Sequence, residues 1–232
     1  MVKRMNKNLF KNIGKGILTF FVFYYSWIFQ YIPVIIFNID VTSISDSLNI
    51  LLSAFSSIIV CFILLFMYRK ELKEEFIKFK NNFSFNMDTG IKCWLAGLFC
   101  MMIFNIIISV IFKGGTAGNE ETIQSMIGTL PWMMIISAGI LAPWNEEIVF
   151  RKTLRNVFKN KYLFMITSGL VFGLAHVVGN VNTWTDWLFV LPYGSLGFAF
   201  ALAYNKTDTI FTPMIFHMIH NISLVALSIY ML

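Results

Sequence analysis

The chain has 232 residues, of which 57% are hydrophobic and only 13% are charged, and its mean hydropathy is +0.71. A soluble domain is typically about 25% charged, so this composition excludes an ordinary soluble protein. The formal net charge of +6 does not indicate a nucleic-acid-binding protein, because the basic residues are divided among separate loops and form no single patch.

Seven apolar segments are each long enough to cross the hydrocarbon core of a bilayer as a helix, which takes roughly 17–25 residues. In chain order they cover residues 17–37, 48–68, 91–112, 125–144, 162–178, 187–204 and 209–231. The sequence therefore predicts an all-α fold, a polytopic membrane helical bundle of about seven transmembrane helices. The first segment is too long for a signal peptide and is interpreted as a retained helix.

The basic residues lie in alternate loops. Of the 18 lysines and arginines, 17 fall in the N-terminal segment or in the loops that follow the second, fourth and sixth spans, and Lys113 is the exception. By the positive-inside rule, this distribution predicts a cytoplasmic N-terminus and an external C-terminus. The small size and the absence of organelle-targeting signals favour the plasma membrane of a bacterium.

We expect one continuous membrane domain in two parts, with scaffold helices in residues 1–124 and a polar core in residues 125–232. The first three spans carry no ionisable residue near their centres, which is why they are interpreted as scaffold. Within the scaffold, residues 69–82 combine charged side chains with apolar residues at helical spacing. Those apolar residues are Leu72, Phe76 and Phe79. This pattern indicates an amphipathic cytoplasmic helix on the membrane surface or, equally, a solvated helix face.

Two adjacent carboxylates, Glu146 and Glu147, follow the apolar run of the fourth span. An ionisable group at bilayer depth is a functional-site hypothesis by default. Glu147 and Arg151 have the i,i+4 spacing of a helical ion pair, so a structural role is expected for them. Because the two glutamates are about 100° apart on a helix, we expect that they cannot both face one point. Glu146 is then free to face the interior of the bundle.

His176 lies on the fifth span at a depth that matches Glu146. The loop between their helices turns near residue 160, so both groups lie about 21–24 Å from the turn if both arms are helical. Antiparallel neighbours joined by a short loop face each other, which favours a shared site. A hydrogen-bonded core histidine is the alternative interpretation.

His217 and Asn221 share one face of the seventh span at i,i+4 spacing. They can belong to the same site, or they can form an interhelical hydrogen bond, a common use of these residues in membranes. His220, Phe172 and Pro213 are interpreted as packing or supporting residues.

Three motifs thus follow one another on three spans: Glu146-Glu147-x-x-x-Arg151, Phe172-x-x-x-His176 and His217-x-x-x-Asn221. In type and order they resemble the motifs of the CPBP family, which includes the type II CAAX prenyl endopeptidases and the bacterial Abi, bacteriocin-processing and immunity proteins. The resemblance covers about residues 125–230, and every motif position is intact. Residues 1–124 are similar only in forming hydrophobic spans.

The resemblance implies an intramembrane endopeptidase that hydrolyses peptide bonds on the cytoplasmic side. In that mechanism Glu146 would activate water with help from His176. His217 and Asn221 would stabilise the oxyanion of the tetrahedral intermediate.

The resemblance also implies that Glu147 and Arg151 hold the glutamate helix in place. No cofactor is favoured, although a zinc ion held by Glu146, His176 and His217 is the alternative, since imidazoles and a carboxylate are acceptable zinc ligands. The metal-free mechanism is favoured because the asparagine of the third motif is a poor zinc ligand and a good oxyanion donor.

The expected partners are the lipid bilayer and a membrane-associated peptide or protein substrate, such as a quorum-sensing or bacteriocin leader peptide. A non-catalytic bacteriocin immunity or membrane scaffold protein is the main alternative. A small transporter is a third, since buried glutamate and histidine residues also form proton relays. The sequence predicts neither the substrate nor the oligomeric state.

Overall fold

The computed structural model describes residues 2–112, 115 and 117–231, with side chains from residue 8 onwards. Helices form nearly all of the described chain and no β-strand occurs in it, which confirms the all-α prediction. In this part, five helices are long and apolar enough to cross a membrane, one bent pair passes the same test, and one shorter helix is apolar. These correspond in order to the seven predicted segments. The number of spans and the orientation stay predictions.

The α-helices in chain order are α1 (Val2–Tyr24), α2 (Tyr31–Ile36), α3 (Asp46–Asn81), α4 (Phe83–Phe112), α5 (Gly118–Thr129), α6 (Pro131–Val157), α7 (Lys161–Val177), α8 (Val190–Thr207) and α9 (Phe211–Tyr230). Two π-helical segments, Ser137–Leu141 and Ile148–Thr153, lie within α6. Short 3-10 helices cover Ser26–Gln30, Val41–Ser43 and Trp184–Phe189.

The first predicted span, residues 17–37, is bent. Helix Asn8–Tyr24 meets the Ser26–Ile36 segment at 51°, and a 3-10 helix forms the start of the second arm. The Ser26 carbonyl accepts a hydrogen bond from Ser56 Oγ at 2.5 Å. A side chain on α3 therefore satisfies a backbone group at the bend, as a broken helix in a membrane requires.

The fourth predicted span, residues 125–144, has a break within it. Leu130 has φ −146° and ψ 70°, and Pro131 opens α6. A residue before proline is driven out of the helical region, and proline suits the first helical turn because it has no N–H to satisfy. The span helix therefore begins at Pro131 and runs through the glutamate pair, while the predicted boundary at residue 124 falls inside α5.

Residues 69–82 do not form a helix of their own. They continue α3, which is 36 residues long, because no glycine or proline interrupts its sequence. Leu72 and Phe79 are buried and Phe76 is exposed. The predicted amphipathic face therefore packs against the bundle and is not a separate surface helix.

Helices α7 and α8 approach closely through glycines. A Cβ atom at Gly173 would lie 2.6 Å from the Val190 carbonyl oxygen, and one at Gly169 would lie 2.8 Å from the Gly194 carbonyl oxygen. Small residues at i,i+4 spacing allow this contact between membrane helices. The contact brings the second half of α7, which carries His176, against the beginning of α8.

Candidate active site

The glutamate pair lies between the two π-helical segments of α6. A π-turn displaces the backbone hydrogen bonds by one residue, and such turns are frequent at functional sites. In the second segment, Thr153 Oγ donates to the Ile148 carbonyl at 2.9 Å, five residues back. The first segment brings the Ala138 carbonyl to Asn221, whose Nδ2 donates to it at 2.9 Å.

Glu147 is fully buried and forms the predicted ion pair. Its Oε1 lies 3.1 Å from a terminal nitrogen of Arg151, and neither side chain is accessible. The guanidinium carbon of Arg151 lies 4.3 Å from the centre of the Phe172 ring, and its other terminal nitrogen donates to the Gly197 carbonyl at 3.4 Å. This pair therefore links α6 to α7 and α8.

His217 lies between the two carboxylates. Its Nδ1 is 2.8 Å from Glu147 Oε1 and its Nε2 is 3.7 Å from Glu146 Oε2. The expectation that the two glutamates cannot face one point is therefore wrong. An imidazole has nitrogens on two sides of the ring, so neighbouring side chains of one helix can each reach a different nitrogen.

The orientation of His217 is set by its neighbours. A carboxylate oxygen can only accept, so Nδ1–H donates to Glu147. The ring stacks on Phe200 with centroids 4.9 Å apart, which fixes the imidazole plane. Nε2 is left directed towards Glu146, at a distance too long for a direct hydrogen bond.

The Oε2 atoms of Glu146 and Glu147 are both buried without a hydrogen-bond partner among the described residues, and Glu146 Oε2 lies 3.7 Å from His217 Nε2. Glu146 differs from its neighbour in being accessible: its side chain is 15% exposed, whereas that of Glu147 is not exposed at all. Buried polar atoms without a partner are rare in native proteins and each needs an explanation. A reacting water or substrate group is such an explanation.

His176 lies in the last turn of α7. Its Nδ1 is 2.9 Å from the Phe172 carbonyl oxygen, and because a carbonyl only accepts, Nδ1 carries the proton. The ring stacks on Tyr193 of α8, with centroids 4.7 Å apart. The neutral imidazole therefore has its Nε2 lone pair available for a hydrogen bond from water or substrate.

A cavity of about 80 Å³ joins three of the predicted site residues, and it is lined in part by His176, His217 and Asn221. The His220 side chain also lines it and lies 3.5 Å from Trp94 Nε1. The fold thus brings the second and third motifs to one cavity, with Glu146 adjacent through His217. The catalytic roles of these residues stay predictions.

The proposed zinc ligands do not form a metal site in this arrangement. Among the described residues, which include Glu146, His176 and His217, no group of three histidine, cysteine, aspartate or glutamate side chains has the geometry to hold a metal ion. No catalytic step is therefore derived through a metal.

A second buried polar cluster lies at the end of the bundle that carries the basic loops. We call it the Glu75 cluster. Glu75 Oε1 is paired with Lys152 Nζ and accepts from the Tyr204 hydroxyl at 2.8 Å, and Glu75 Oε2 accepts from the Ile210 backbone N–H at 2.8 Å. Both Glu75 oxygens are therefore satisfied, and the cluster ties α3 to α6, α8 and the start of α9.

Sequence reasoning missed several of these groups: Tyr193, Phe200, the Ala138 carbonyl and the Glu75 cluster. Tyr193 and Phe200 lie within an apolar span in which no spacing rule distinguishes a residue beside a histidine from one that faces lipid. Glu75 belongs to a highly charged stretch, so its burial leaves no signal in the sequence.

Residues 128–223 match the family described as "Type II CAAX prenyl endopeptidase Rce1-like". This part of the chain is therefore similar to the Rce1-like family. All three motifs lie inside the matched region, so the Rce1-like match and the site geometry concern the same helices.

The chain is also similar to curated membrane peptidases. The chain is 27% identical to the "Putative membrane peptidase YdiL" of Bacillus subtilis over 71% of this chain and 66% of that protein. It is 31% identical to the "Membrane-embedded CAAX protease MroQ" of Staphylococcus aureus over 55% of this chain and 53% of that protein. The chain thus spans between about half and two thirds of these relatives. No solved structure matches it.

Proposed function

We propose that this protein is an intramembrane endopeptidase in which Glu146 activates a water molecule for attack on a peptide bond. The observation that carries this proposal is the partly accessible Glu146, whose buried oxygen has no hydrogen-bond partner among the described residues and lies 3.7 Å from His217 Nε2, beside a cavity lined by His176 and Asn221. The family match of residues 128–223 and the similarity to membrane peptidases support the same reaction class.

In the first step, Glu146 accepts a proton from water while the water oxygen attacks the carbonyl carbon of the substrate. His176 Nε2 accepts a hydrogen bond from the second water proton and so orients the nucleophile. The carbonyl π electrons move to oxygen, which becomes the oxyanion of a tetrahedral intermediate. A positioned base of this kind contributes roughly 10²–10⁴ to the rate.

In the second step, the oxyanion is stabilised by hydrogen-bond donors that are already in place. Asn221 presents its second amide N–H, since the first donates to the Ala138 carbonyl. Glu147 accepts from His217 Nδ1, and His217 becomes a second donor, through Nε2–H, when its ring takes up one further proton from solvent before the reaction and keeps it throughout. The carbonyl then re-forms, the C–N bond breaks, and Glu146 returns its proton to the leaving nitrogen. The products are a carboxylic acid and an amine.

The expected substrate is a membrane-associated peptide or protein of a bacterial plasma membrane, as the relatives from Bacillus and Staphylococcus favour. Glutamate chemistry is proposed in preference to zinc because Glu146, His176 and His217, all among the described residues, are not grouped closely enough to hold one ion, and because the asparagine at position 221 is a poor zinc ligand and a good oxyanion donor. Access from the cytoplasmic side is a prediction of the resemblance. The direction in which the cavity opens favours access from the non-cytoplasmic face instead.

The test is cleavage of a panel of membrane-tethered leader peptides by the purified protein in liposomes. Wild type is compared with Glu146→Gln and with the matched control Glu121→Gln, which removes an exposed carboxylate on α5. We expect kcat/KM to fall at least about 100-fold for Glu146→Gln and to stay unchanged for the control. A strong chelator is expected to have no effect.

Two results would contradict the proposal in different ways. Activity lost to the chelator and restored by zinc would keep the protease but replace the glutamate mechanism. A folded wild type that cleaves no peptide of the panel would favour the immunity or scaffold alternative.

A further inference from the structure

The cavity beside the catalytic residues extends towards one end of the bundle only. On α9 it is lined by His217, Asn221, Leu224 and Ser228, which lie on successive turns towards the C-terminus of the helix. The distance along the helix from His217 to Ser228 is about 16 Å at 1.5 Å per residue. The cavity therefore leads from the catalytic residues to the C-terminal end of α9.

The neighbouring helices place the mouth of the cavity at the same end. Tyr193 is in the first turn of α8, and Asn119 and Glu120 are in the first turn of α5. His176 is in the last turn of α7, whose C-terminal end faces the start of α8. Helices α7, α8 and α9 follow one another in the chain and alternate in direction. The end of α7, the start of α8 and the end of α9 therefore lie at the same face of the bundle, together with the start of α5.

The opposite end is closed by buried side chains. Phe150, Arg151 and Ile210 are fully buried, and the Glu75 cluster lies beyond them. A polar cleft of about 380 Å³ at that end is lined by Lys152 and Tyr204 among others. No described residue lines both this cleft and the catalytic cavity.

A second cavity of about 370 Å³ adjoins the mouth and shares four lining residues with the first. It exposes Asn105 and Ser109, at i,i+4 spacing on the otherwise apolar second half of α4. Polar side chains on a membrane helix need hydrogen-bond partners, and the backbone of an extended peptide supplies them. The mouth therefore continues sideways as a groove suited to a peptide segment.

The distribution of charge identifies the face on which the mouth lies. The loops that hold 17 of the 18 basic residues are all at the closed end of the bundle, and basic loops are retained in the cytoplasm. We infer that the catalytic cavity opens to the non-cytoplasmic face, and that the substrate is an extended peptide segment presented in that half of the membrane. This inference rests on the proposed function.

The test measures the accessibility of introduced cysteines and does not depend on catalysis. Cys61, Cys93 and Cys100 are replaced by alanine, and single cysteines are introduced as Ser228→Cys at the mouth, Leu224→Cys inside the cavity, or Lys159→Cys in a basic loop. Bacterial cells that express each variant are treated with a membrane-impermeant cationic methanethiosulfonate, either sealed or opened with detergent. The cysteine-free protein is the blank.

We expect both Ser228→Cys and Leu224→Cys to react in sealed cells at rates within about twofold of those in opened cells. Lys159→Cys is expected to react at least tenfold more slowly in sealed cells. Reaction of Lys159→Cys in sealed cells, or reaction of Leu224→Cys only in opened cells, would overturn the inference.

A second measurement links access to catalysis. After purification, Ser228→Cys and Lys159→Cys are coupled to a polyethylene glycol maleimide and cleavage of the leader-peptide panel is measured. Coupling at Ser228→Cys is expected to lower the rate at least tenfold, with Lys159→Cys unchanged, and equal effects would count against the route. If no peptide is cleaved by any variant, the proposed function fails while the labelling pattern still decides the access.

Discussion

Two carboxylates inside the bundle, Glu75 and Glu146, are in opposite electrostatic situations. Both oxygens of Glu75 are partnered, by Lys152 and Tyr204 on one side and by the Ile210 N–H on the other. Glu146 is partly accessible, has one buried oxygen with no hydrogen-bond partner among the described residues, and faces His217 at 3.7 Å. A satisfied carboxylate joins helices, whereas an unsatisfied one at a cavity retains the capacity to accept a proton.

Glu147 is intermediate between these two. It is ion-paired with Arg151 like a structural residue, yet the same oxygen accepts from His217. It therefore acts as a positioning residue, because it orients an imidazole whose other nitrogen faces Glu146. Under the proposed function, orientation of the histidine and acceptance of the proton are divided between neighbouring carboxylates of one helix.

The matched substitutions Glu75→Gln and Glu146→Gln should have opposite effects on stability. Glu75→Gln leaves Lys152 as a buried cation without its counter-ion, and breaking a buried pair costs about 3–5 kcal/mol of unfolding free energy. Glu146→Gln removes a carboxylate that has no ion partner other than His217, so the melting temperature should stay constant or rise. Thermal unfolding in detergent measures both.

Glu75→Gln and Glu146→Gln should also differ in kcat/KM. The folded fraction of Glu75→Gln is expected to keep kcat/KM within a few-fold of wild type, since the cluster does not line the catalytic cavity. A stable Glu75→Gln protein together with an unfolded Glu146→Gln protein would reverse the assignment of the two carboxylates.

A smaller effect is expected from Gly173→Ala, which tests the helix contact that holds His176 in place. The added methyl would lie 2.6 Å from the Val190 carbonyl oxygen, and overpacking of this kind costs about 1–3 kcal/mol. The control is Gly128→Ala on α5, where a Cβ meets nothing within 4 Å. Equal melting temperatures for the two variants would show that α7 and α8 can separate without cost.

The smallest effect is expected from Tyr193→Leu. It removes the ring that stacks on His176, and an aromatic pair is worth about 0.5–1.5 kcal/mol. If this energy serves to orient the imidazole, kcat/KM falls by up to about tenfold while the melting temperature changes little. The control for loss of an aromatic residue is Tyr162→Leu, at an exposed tyrosine on α7. An equal decrease in kcat/KM for this control would contradict a positioning role for Tyr193.

The limits of sequence reasoning are visible at particular residues. The Glu147–Arg151 pair was predictable because both residues lie on one helix, where spacing alone determines which side chains meet. The breaks at Tyr25 and Leu130 were not predicted, although Pro131 carries a signal for the second. The continuation of α3 through residues 69–81 was also missed, because the charged stretch was interpreted as a surface helix or a solvated helix face.

The sequence by itself determined that this is an all-α membrane protein, that it contains seven apolar segments, and that three polar motifs lie on three of these segments. Hydropathy and helical periodicity are local properties, so these features need no knowledge of how the helices pack. Only the tertiary structure decided that His217 lies between Glu146 and Glu147, that Glu75 meets Lys152 across 77 positions, and that the cavity opens at one end. Such contacts depend on the rotation and depth of each helix against its neighbours, which close packing at residues such as Gly173 sets and which no spacing within a single helix encodes.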